Sequence, residues 1–422
     1  MSNVPKTAQQ IRTTRILYLA FATATLLVLG LIYAWSIFAE PIKASYPEYK
    51  DYTSQVFQVS MFAFCVSALF GAQLIKRTSA QLTIFVAAVL LGGGFVLTAL
   101  LAGLGVWALF VFYGLCAGSG CGIAYNAIIS LVNPWFPDKI GLCSGVQMMG
   151  FGISSLVFGT LANALFGPLG WPAVFIAIAI VGVAIMVVLA LVVRPAPPDI
   201  AKTLGMRGAA VATKESPTKN QGILTSKVFW FYSIWATLVL TGGLTLIGTA
   251  KPGALALGID EGFATLLVGL VATMNGVGRI INGALFDRFG LVPVLLISAA
   301  TALLTTAGLS LSLGAGIPAL YIVCAILIAS SYGSVPVMAS AFARQRYRAP
   351  DFAKNLGIAN CNIATAAAIN IVISAVLGSA FGANAMLIYG LLAAFSAVAF
   401  VAVFAFSKVY RKDLATIAEE LK

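Results

Sequence analysis

The sequence has no histidine and few charged residues. Only 9% of its 422 residues are charged, with 13 Asp and Glu beside 25 Lys and Arg, whereas a soluble chain carries about 25% charged residues. Enzyme sites rely most often on histidine, on paired carboxylates or on metal ligands. Because the chain has no histidine and little acid, we expect no catalytic centre, no bound metal and no cofactor.

Long apolar stretches make up most of the chain. Hydrophobic residues account for 60% of it, and its mean hydropathy is +1.00. A run of about 18 or more apolar residues can cross the hydrocarbon core of a bilayer as a helix, and these runs do not alternate as barrel strands do. We therefore predict twelve transmembrane helices, numbered here as spans 1 to 12, at about 16–39, 53–75, 81–103, 106–131, 140–165, 171–193, 228–250, 262–285, 292–313, 318–341, 355–378 and 385–407.

The basic residues fall mainly on one side of the predicted membrane. With twelve spans both termini share a side, and that side holds 21 Lys and Arg against three, Lys43, Lys50 and Lys251, on the other. Such a bias marks the cytoplasmic side, so we predict that both termini are cytoplasmic. The net charge of +12 then reflects topology and attraction to anionic lipid rather than nucleic-acid binding. Short loops fit a protein of a bacterial inner membrane, and we expect it to work as a monomer.

A polar segment divides the spans into two sets of six. Residues 194–227 are rich in Pro, Lys and Ser, which is typical of a linker. The sequence thus predicts an N-terminal half at 1–193 and a C-terminal half at 228–422 that includes a cytoplasmic tail. Two six-helix halves are typical of transporters that expose a site near the midplane alternately to each side.

Two loops at matching places in the halves are alike: GALFDRFG (283–290) after span 8 and GAQLIKRT (71–78) after span 2. The first resembles the Gly-x-x-x-Asp-Arg-x-Gly loop of the major facilitator superfamily, whereas the second has Ile75 in place of the aspartate. The resemblance implies an all-α membrane protein with twelve helices in two pseudo-symmetric halves, the major facilitator fold. It also implies that four loop residues help to latch a cytoplasmic gate: Gly283, Asp287, Arg288 and Gly290. An ordinary solvated loop with a tight turn at Gly290 would explain the same residues.

Three further motifs point to a branch of that superfamily. YAWSIFAEPIK (33–43), NPWFPDKIG (133–141) and AKNLG (353–357) are similar to signatures of the oxalate:formate antiporter family, which neighbours the monocarboxylate transporters. The motifs spread over nearly the whole chain. This resemblance implies a secondary active transporter of small carboxylate anions.

Arg279 is the one charged residue that falls inside a predicted span. It lies roughly 10–12 Å from the cytoplasmic end of span 8, and its side chain leans toward the midplane because helical side chains lean toward the N-terminus. A charge at the bilayer centre costs at least about 2.5–3.5 kcal/mol, and arginine does not escape by losing its proton. We therefore expect a water-filled cavity in which a substrate carboxylate pairs with Arg279, with bonds to helix carbonyls or asparagines as the structural alternative. The resemblance to the antiporter family likewise implies a substrate-binding arginine at this place.

The antiporter family also has a lysine in span 11, and the matching residue here is Ile363. One cation balances a monocarboxylate, whereas a dicarboxylate would leave a second buried charge unpaired at a cost of several kcal/mol. We therefore expect a substrate of the lactate, pyruvate, formate or acetate class. The alternatives are an exchanger of the oxalate:formate type, a carboxylate sensor that transports nothing, and an anion channel, although a channel favours rings of basic residues.

Other polar residues inside the spans are candidates for lining the cavity. They are Asn275, Tyr332, Tyr125, Tyr33, Asn360, Asn362 and Gln147. Asn275 lies one helical turn before Arg279 on the same face, and the tyrosines lie deeper than most membrane tyrosines and match cavity aromatics of the antiporter family. Each residue could instead serve helix packing.

Proton coupling has no evident carrier within the spans, because the chain has no histidine and its acids lie in loops or at span ends. A proton could travel on the substrate carboxylate, or on Asp260 or Glu261 at the outer end of span 8. We favour proton-linked symport, with exchange as the alternative.

Overall fold

The computed structural model describes residues 8–49, 52–204, 222–347, 351–377 and 385–420. Within these ranges the ordered elements are all helices, and eleven of them are long and apolar enough to cross a membrane. A helix lies at each of the twelve predicted spans; the eleven do not include span 11, whose helix borders residues outside the described ranges. The prediction of an all-α, multi-span protein is therefore confirmed.

The first six spans include three irregular helices. Span 1 consists of the helices Ala8–Leu29 and Trp35–Ser45, joined by a 3-10 turn at Gly30–Ala34. Span 4 passes from Val106–Ala108 through a π-helix at Leu109–Ala117 into Gly118–Val132. Span 5 passes from Ile140–Ser154 through a π-helix at Ser155–Gly159 into Thr160–Leu169. The regular helices are Thr53–Arg77 for span 2, Ala80–Leu101 for span 3 and Trp171–Val192 for span 6.

The last six spans are long, uninterrupted helices. They are Lys227–Ala256, Glu261–Phe289, Leu291–Ala315, Pro318–Arg346, Phe352–Leu377 and Ala385–Glu420, for spans 7 to 12 in order. Gly290 separates spans 8 and 9 with a φ of 81°, and Gly316 ends span 9 with a φ of 67°. Glycine suits both places because a positive φ is costly for residues with a side chain.

The same helix pairs pack within each set of six. Span 2 packs on span 4, span 3 on span 4, and span 3 on span 6; likewise span 8 packs on span 10, span 9 on span 10, and span 9 on span 12. This repeated pattern is the pseudo-symmetry that the resemblance of the two loops implied.

By its internal contacts the chain forms two compact units. Unit 1 is residues 1–214 with 349–357, and unit 2 is residues 215–348 with 358–422. The start of span 11 thus groups with the first six spans, and the rest of that helix with the last six. Of the predicted linker, the structure describes a short helix at Ile200–Thr203 and a 3-10 turn at Ile223–Thr225; residues 205–221 lie outside the described ranges.

Candidate functional site

Arg279 lies inside unit 2, and only 4% of its surface is exposed. Its side chain therefore does not face lipid. The stem of Arg279 packs against Gly333 of span 10, where a methyl group on the glycine would lie 3.3 Å from Cγ of Arg279. A buried guanidinium keeps its charge, and its planar donors match a carboxylate, so an anion-binding role for Arg279 stays a prediction that its buried position is compatible with.

Asn275 contacts the same glycine one turn before Arg279. Its Oδ1 would lie 3.1 Å from a methyl group on Gly333, and this buried oxygen accepts no hydrogen bond from the described residues. Because Oδ1 faces span 10, the amide nitrogen is the end of the side chain directed away from Gly333. Asn282, two turns further on, instead donates to the carbonyl oxygens of Gly278 (2.7 Å) and Ser330 (3.2 Å), so its amide joins span 8 to span 10.

Tyr332 lies beside this contact, on the side of span 10 that faces span 7. It is 5% exposed, and a methyl group on Gly243 of span 7 would lie 2.5 Å from its Cβ. Residues 332 and 333 of span 10 therefore contact different helices. Arg279 and Asn275 thus meet at Gly333, whereas Tyr332, its neighbour in span 10, packs on span 7.

The two asparagines of span 11 have different surroundings. Asn362 accepts a hydrogen bond from Thr237 of span 7 at 3.4 Å. Asn360 precedes it by two residues and so lies on nearly the opposite side of the helix. Both are buried, and in both the amide nitrogen has no hydrogen-bond partner among the described residues.

Asn362 belongs to a ladder of polar contacts along span 7 that was not predicted. Thr245 donates to Asn370 at 2.5 Å, Asn370 donates to the carbonyl oxygen of Thr241 at 3.3 Å, and the hydroxyls of Thr249 and Tyr389 are 2.8 Å apart. The sequence signal was present, since the threonines of span 7 recur at every fourth residue (237, 241, 245 and 249). The ladder joins span 7 to spans 11 and 12.

Tyr33 and Tyr125 lie together in unit 1. The ring centroids of both tyrosines are close to that of Phe151, at 5.3 Å and 5.1 Å, and both contacts are edge-on. Phe64 packs on Tyr125 at 5.4 Å. The two predicted tyrosines therefore belong to one aromatic cluster, formed by spans 1, 2, 4 and 5.

Gln147 lies apart from this cluster, among polar groups of spans 4 and 5. It is fully buried, and its amide nitrogen donates to Oδ1 of Asn133 at 2.9 Å, while Asn133 donates to the hydroxyl of Ser144 at 2.8 Å. The amide nitrogen of Gln147 is thus engaged in contacts between helices.

Asn133 opens the motif NPWFPDKIG, which ties together several helix ends of unit 1. The indole nitrogen of Trp135 donates to the carbonyl oxygen of Arg194, after span 6, at 2.9 Å, and its ring lies edge-on to Tyr18 of span 1. Asp138 forms a 2.6 Å ion pair with Arg15, also from span 1. The motif therefore has a packing function in this fold.

The loop GALFDRFG has the tight turn that the sequence allowed. Gly290 has a positive φ, Gly283 is buried, and Asp287 and Arg288 are exposed. The guanidinium of Arg288 lies 5.2 Å from the centre of the Phe289 ring. These contacts are local to the loop, so a gating role for the four residues stays a prediction.

The loop GAQLIKRT and the motif AKNLG meet within unit 1. Lys76 forms an ion pair with Asp351, just before span 11. The amide of Asn126 in span 4 donates to the carbonyl oxygens of Ala68 (3.0 Å) and Ala353 (2.7 Å). A methyl group on Gly357 would lie 3.2 Å from that amide nitrogen. The loop without the aspartate thus has an ion pair of its own, which was not predicted.

Asp260 serves as the N-cap of span 8. Its carboxylate accepts a hydrogen bond from the backbone N–H of Phe263 at 3.0 Å, and the side chain is exposed. The side chain of Glu261 lies outside the part of the chain that the structure describes. A proton-carrying role for either residue stays a prediction.

Comparisons with known proteins agree with this architecture. A family model described as Major Facilitator Superfamily matches residues 16–252. The chain is 25% identical over 295 residues to the oxalate:formate antiporter of Oxalobacter formigenes, covering 68% of each chain. It is 27% identical over 242 residues to human monocarboxylate transporter 11, covering 57% of this chain and 49% of the relative. A crystal structure of a double-tryptophan XylE mutant superposes with a TM-score of 0.75 at 17% identity, covering 93% of this chain and 96% of that one, so the predicted fold is confirmed.

Proposed function

The chain belongs to the Major Facilitator Superfamily of membrane transporters, and from this premise we propose that it carries small monocarboxylate anions by alternating access, with Arg279 binding the carboxylate. The proposed substrates are of the lactate, pyruvate, formate and acetate class. Transport is coupled to protons in this proposal, and the protein lies in the bacterial inner membrane with both termini in the cytoplasm.

The observation that carries the proposal is the buried position of Arg279. Its side chain is 4% exposed within a helix that is long and apolar enough to cross a membrane. A charge at the centre of a transmembrane helix costs at least about 2.5–3.5 kcal/mol, and a bidentate carboxylate offsets such a cost well because it supplies both charge and matching acceptors. Asn275 supports this role because its amide nitrogen is turned away from span 10 and can donate to the same anion.

The number of charges favours a monocarboxylate. Arg279 is the only charged residue predicted inside a span, and Ile363 is uncharged. A second carboxylate would remain unpaired at low dielectric, which costs several kcal/mol. In the proposal Tyr332 and Asn360 shape the cavity within unit 2, and Asn362 acts through its contact with Thr237. A lining role for Tyr33, Tyr125 and Gln147 of unit 1 stays a prediction.

Anion exchange is the second candidate function. It is favoured by the similarity to a relative that is named an oxalate:formate antiporter and that matches 68% of the chain. An exchanger and a symporter differ in one measurable respect: an exchanger needs anion on both sides, whereas a symporter accumulates anion when only a proton gradient is imposed.

Uptake into proteoliposomes tests the proposal. Labelled lactate, pyruvate, formate, acetate and oxalate are offered to the purified protein, and we expect saturable uptake of at least one monocarboxylate that exceeds oxalate uptake. Arg279→Lys and Arg279→Ala should both lose nearly all uptake, since lysine cannot form the bidentate pair. Folding of each variant is checked by its elution profile and thermal unfolding. Oxalate uptake that exceeds uptake of every monocarboxylate, or full activity of Arg279→Lys, would contradict the proposal.

A further inference from the structure

Spans 8 and 10 approach each other closely beside Arg279, at Asn275 and at Gly278. A methyl group on Gly333 would lie 2.5 Å from the carbonyl oxygen of Asn275, and one on Gly278 would lie 2.7 Å from Cα of Ser330. Real Cβ atoms essentially never come within 3.0 Å of such atoms. At each glycine the nearest atom belongs to the backbone of the other helix, so turning a side chain would not relieve the conflict. Only glycine fits at these two places without moving one of the helices.

The two glycines determine where the stem of Arg279 lies. Gly278 immediately precedes the arginine in span 8, and Gly333 is the part of span 10 on which Cγ of Arg279 rests, 3.3 Å from the site of the missing methyl group. The amide of Asn282 fastens the same two helices at Ser330. The arginine stem therefore packs on span 10 where the two helices are held close together, although arginine has one of the most flexible side chains.

Packing the stem at Cγ restricts the directions that the guanidinium can take. Bidentate binding requires the planar group to meet the carboxylate in one orientation, and a side chain that is already immobile loses less freedom when it binds. From this geometry we infer that Gly278 and Gly333 are positioning residues, which hold Arg279 in the orientation that binds the carboxylate of the substrate. The inference rests on the proposed role of Arg279 in substrate binding.

Alanine at either glycine tests the inference. Gly333→Ala and Gly278→Ala push span 10 away from span 8 or tilt the arginine stem, so the KM for the best monocarboxylate should rise about tenfold, while kcat changes less than about threefold. Substrate-induced thermal stabilisation should weaken in parallel. The two variants are independent tests: if one fails to insert, the KM of the other decides.

Gly308→Ala is the matched control. Gly308 of span 9 also packs tightly against span 10, at Sγ of Cys324, but that contact is in a different part of the helix and does not involve Arg279. Because the obstructing atom is the end of the Cys324 side chain, which can turn aside, this variant should lose less thermal stability than the other two, and it should keep the KM of the wild type. An equal rise in KM for Gly308→Ala would show that loosening of span 10 in general is responsible, and an unchanged KM in a folded Gly333→Ala or Gly278→Ala would overturn the inference.

The outcome is separable from that of the proposed function. If the wild-type protein transports no monocarboxylate, the proposed substrate is wrong. The same KM comparison made with whichever anion the protein does transport then decides whether the glycines position Arg279.

Discussion

Ile363 is half-buried on span 11, at the place that resembles the lysine position of the oxalate:formate antiporter family. An aliphatic side chain there leaves Arg279 as the one cation predicted inside a span. The preference for substrates with one or two charges should therefore depend on residue 363, whereas the affinity for a single carboxylate should depend on Arg279.

Ile363→Lys should shift the substrate preference of the protein from monocarboxylates toward dicarboxylates. A second cation can pair with the second carboxylate of oxalate, and a gain of about 1.4 kcal/mol in binding corresponds to a tenfold change. We expect the ratio of oxalate to lactate uptake to rise at least about tenfold. Ile363→Met is the control, because methionine is unbranched like lysine and of similar length but carries no charge. An equal rise with methionine would attribute the effect to shape rather than charge.

Single residues differ in how far the sequence predicts their role. Arg279 could be identified because a lone charge in an apolar run is visible in the sequence. Asn275 and Asn282 share its helix face, yet only the structure shows that Asn282 bonds to Ser330 whereas Asn275 does not. The role of Gly333 depends on a neighbour in another helix, and the sequence alone gives no sign of it.

The helices were predicted more completely than their contacts. Span 8 was expected at 262–285 and is Glu261–Phe289, and span 9 was expected at 292–313 and is Leu291–Ala315. Hydropathy predicts such boundaries because it measures which residues can lie in the hydrocarbon core. It does not predict the π-helices of spans 4 and 5, because one extra residue in a uniformly apolar turn leaves the pattern unchanged.

The start of span 11 is held in unit 1 by contacts of unequal strength. The Lys76–Asp351 pair is partly exposed, with 33% and 41% of the two side chains accessible. Asn126 is fully buried and donates two hydrogen bonds, to Ala68 and Ala353. Exposed ion pairs contribute about 0–1 kcal/mol, whereas a buried polar group left without its partner costs about 1–3 kcal/mol.

Asn126→Ala should therefore destabilise the protein more than Lys76→Ala. We expect the asparagine variant to lower the thermal unfolding midpoint by several degrees, because it leaves the carbonyl oxygen of Ala353 without the amide that donates to it. The lysine variant should change the midpoint much less, and its small effect should diminish further in high salt. A larger loss for Lys76→Ala would mean that the ion pair, rather than the buried amide, fastens the start of span 11.

Across the whole molecule, the packing of the halves is repeated but their chemistry is not. The same helix pairs form in both sets of six spans. Unit 1 contributes the aromatic cluster around Phe151, whereas unit 2 contains Arg279 and the polar ladder of span 7. Helix pairing requires apolar faces and small residues at contacts, so it can be preserved while the polar residues of each half diverge.

Asp260, a candidate proton carrier, lies far from Arg279. Asp260 and Arg279 lie on one helix, 19 residues apart, which places their backbones about 28 Å from each other. Asp260 also accepts the Phe263 N–H as a helix cap. A carboxylate so distant cannot pair with Arg279, so we expect a coupled proton to travel on the substrate, with Asp260 as the alternative carrier.

Asp260→Asn separates these possibilities, because asparagine caps a helix as well as aspartate does but cannot carry the proton. With lactate as substrate, an inside-alkaline gradient should accelerate initial uptake by the wild type, and the variant should show the same acceleration and the same thermal stability. Loss of the acceleration in a stable Asp260→Asn protein would assign the proton to Asp260. If the gradient has no effect on the wild type while unlabelled lactate inside the vesicles accelerates uptake, the protein is an exchanger, because the binding site then reorients readily only when an anion neutralises Arg279.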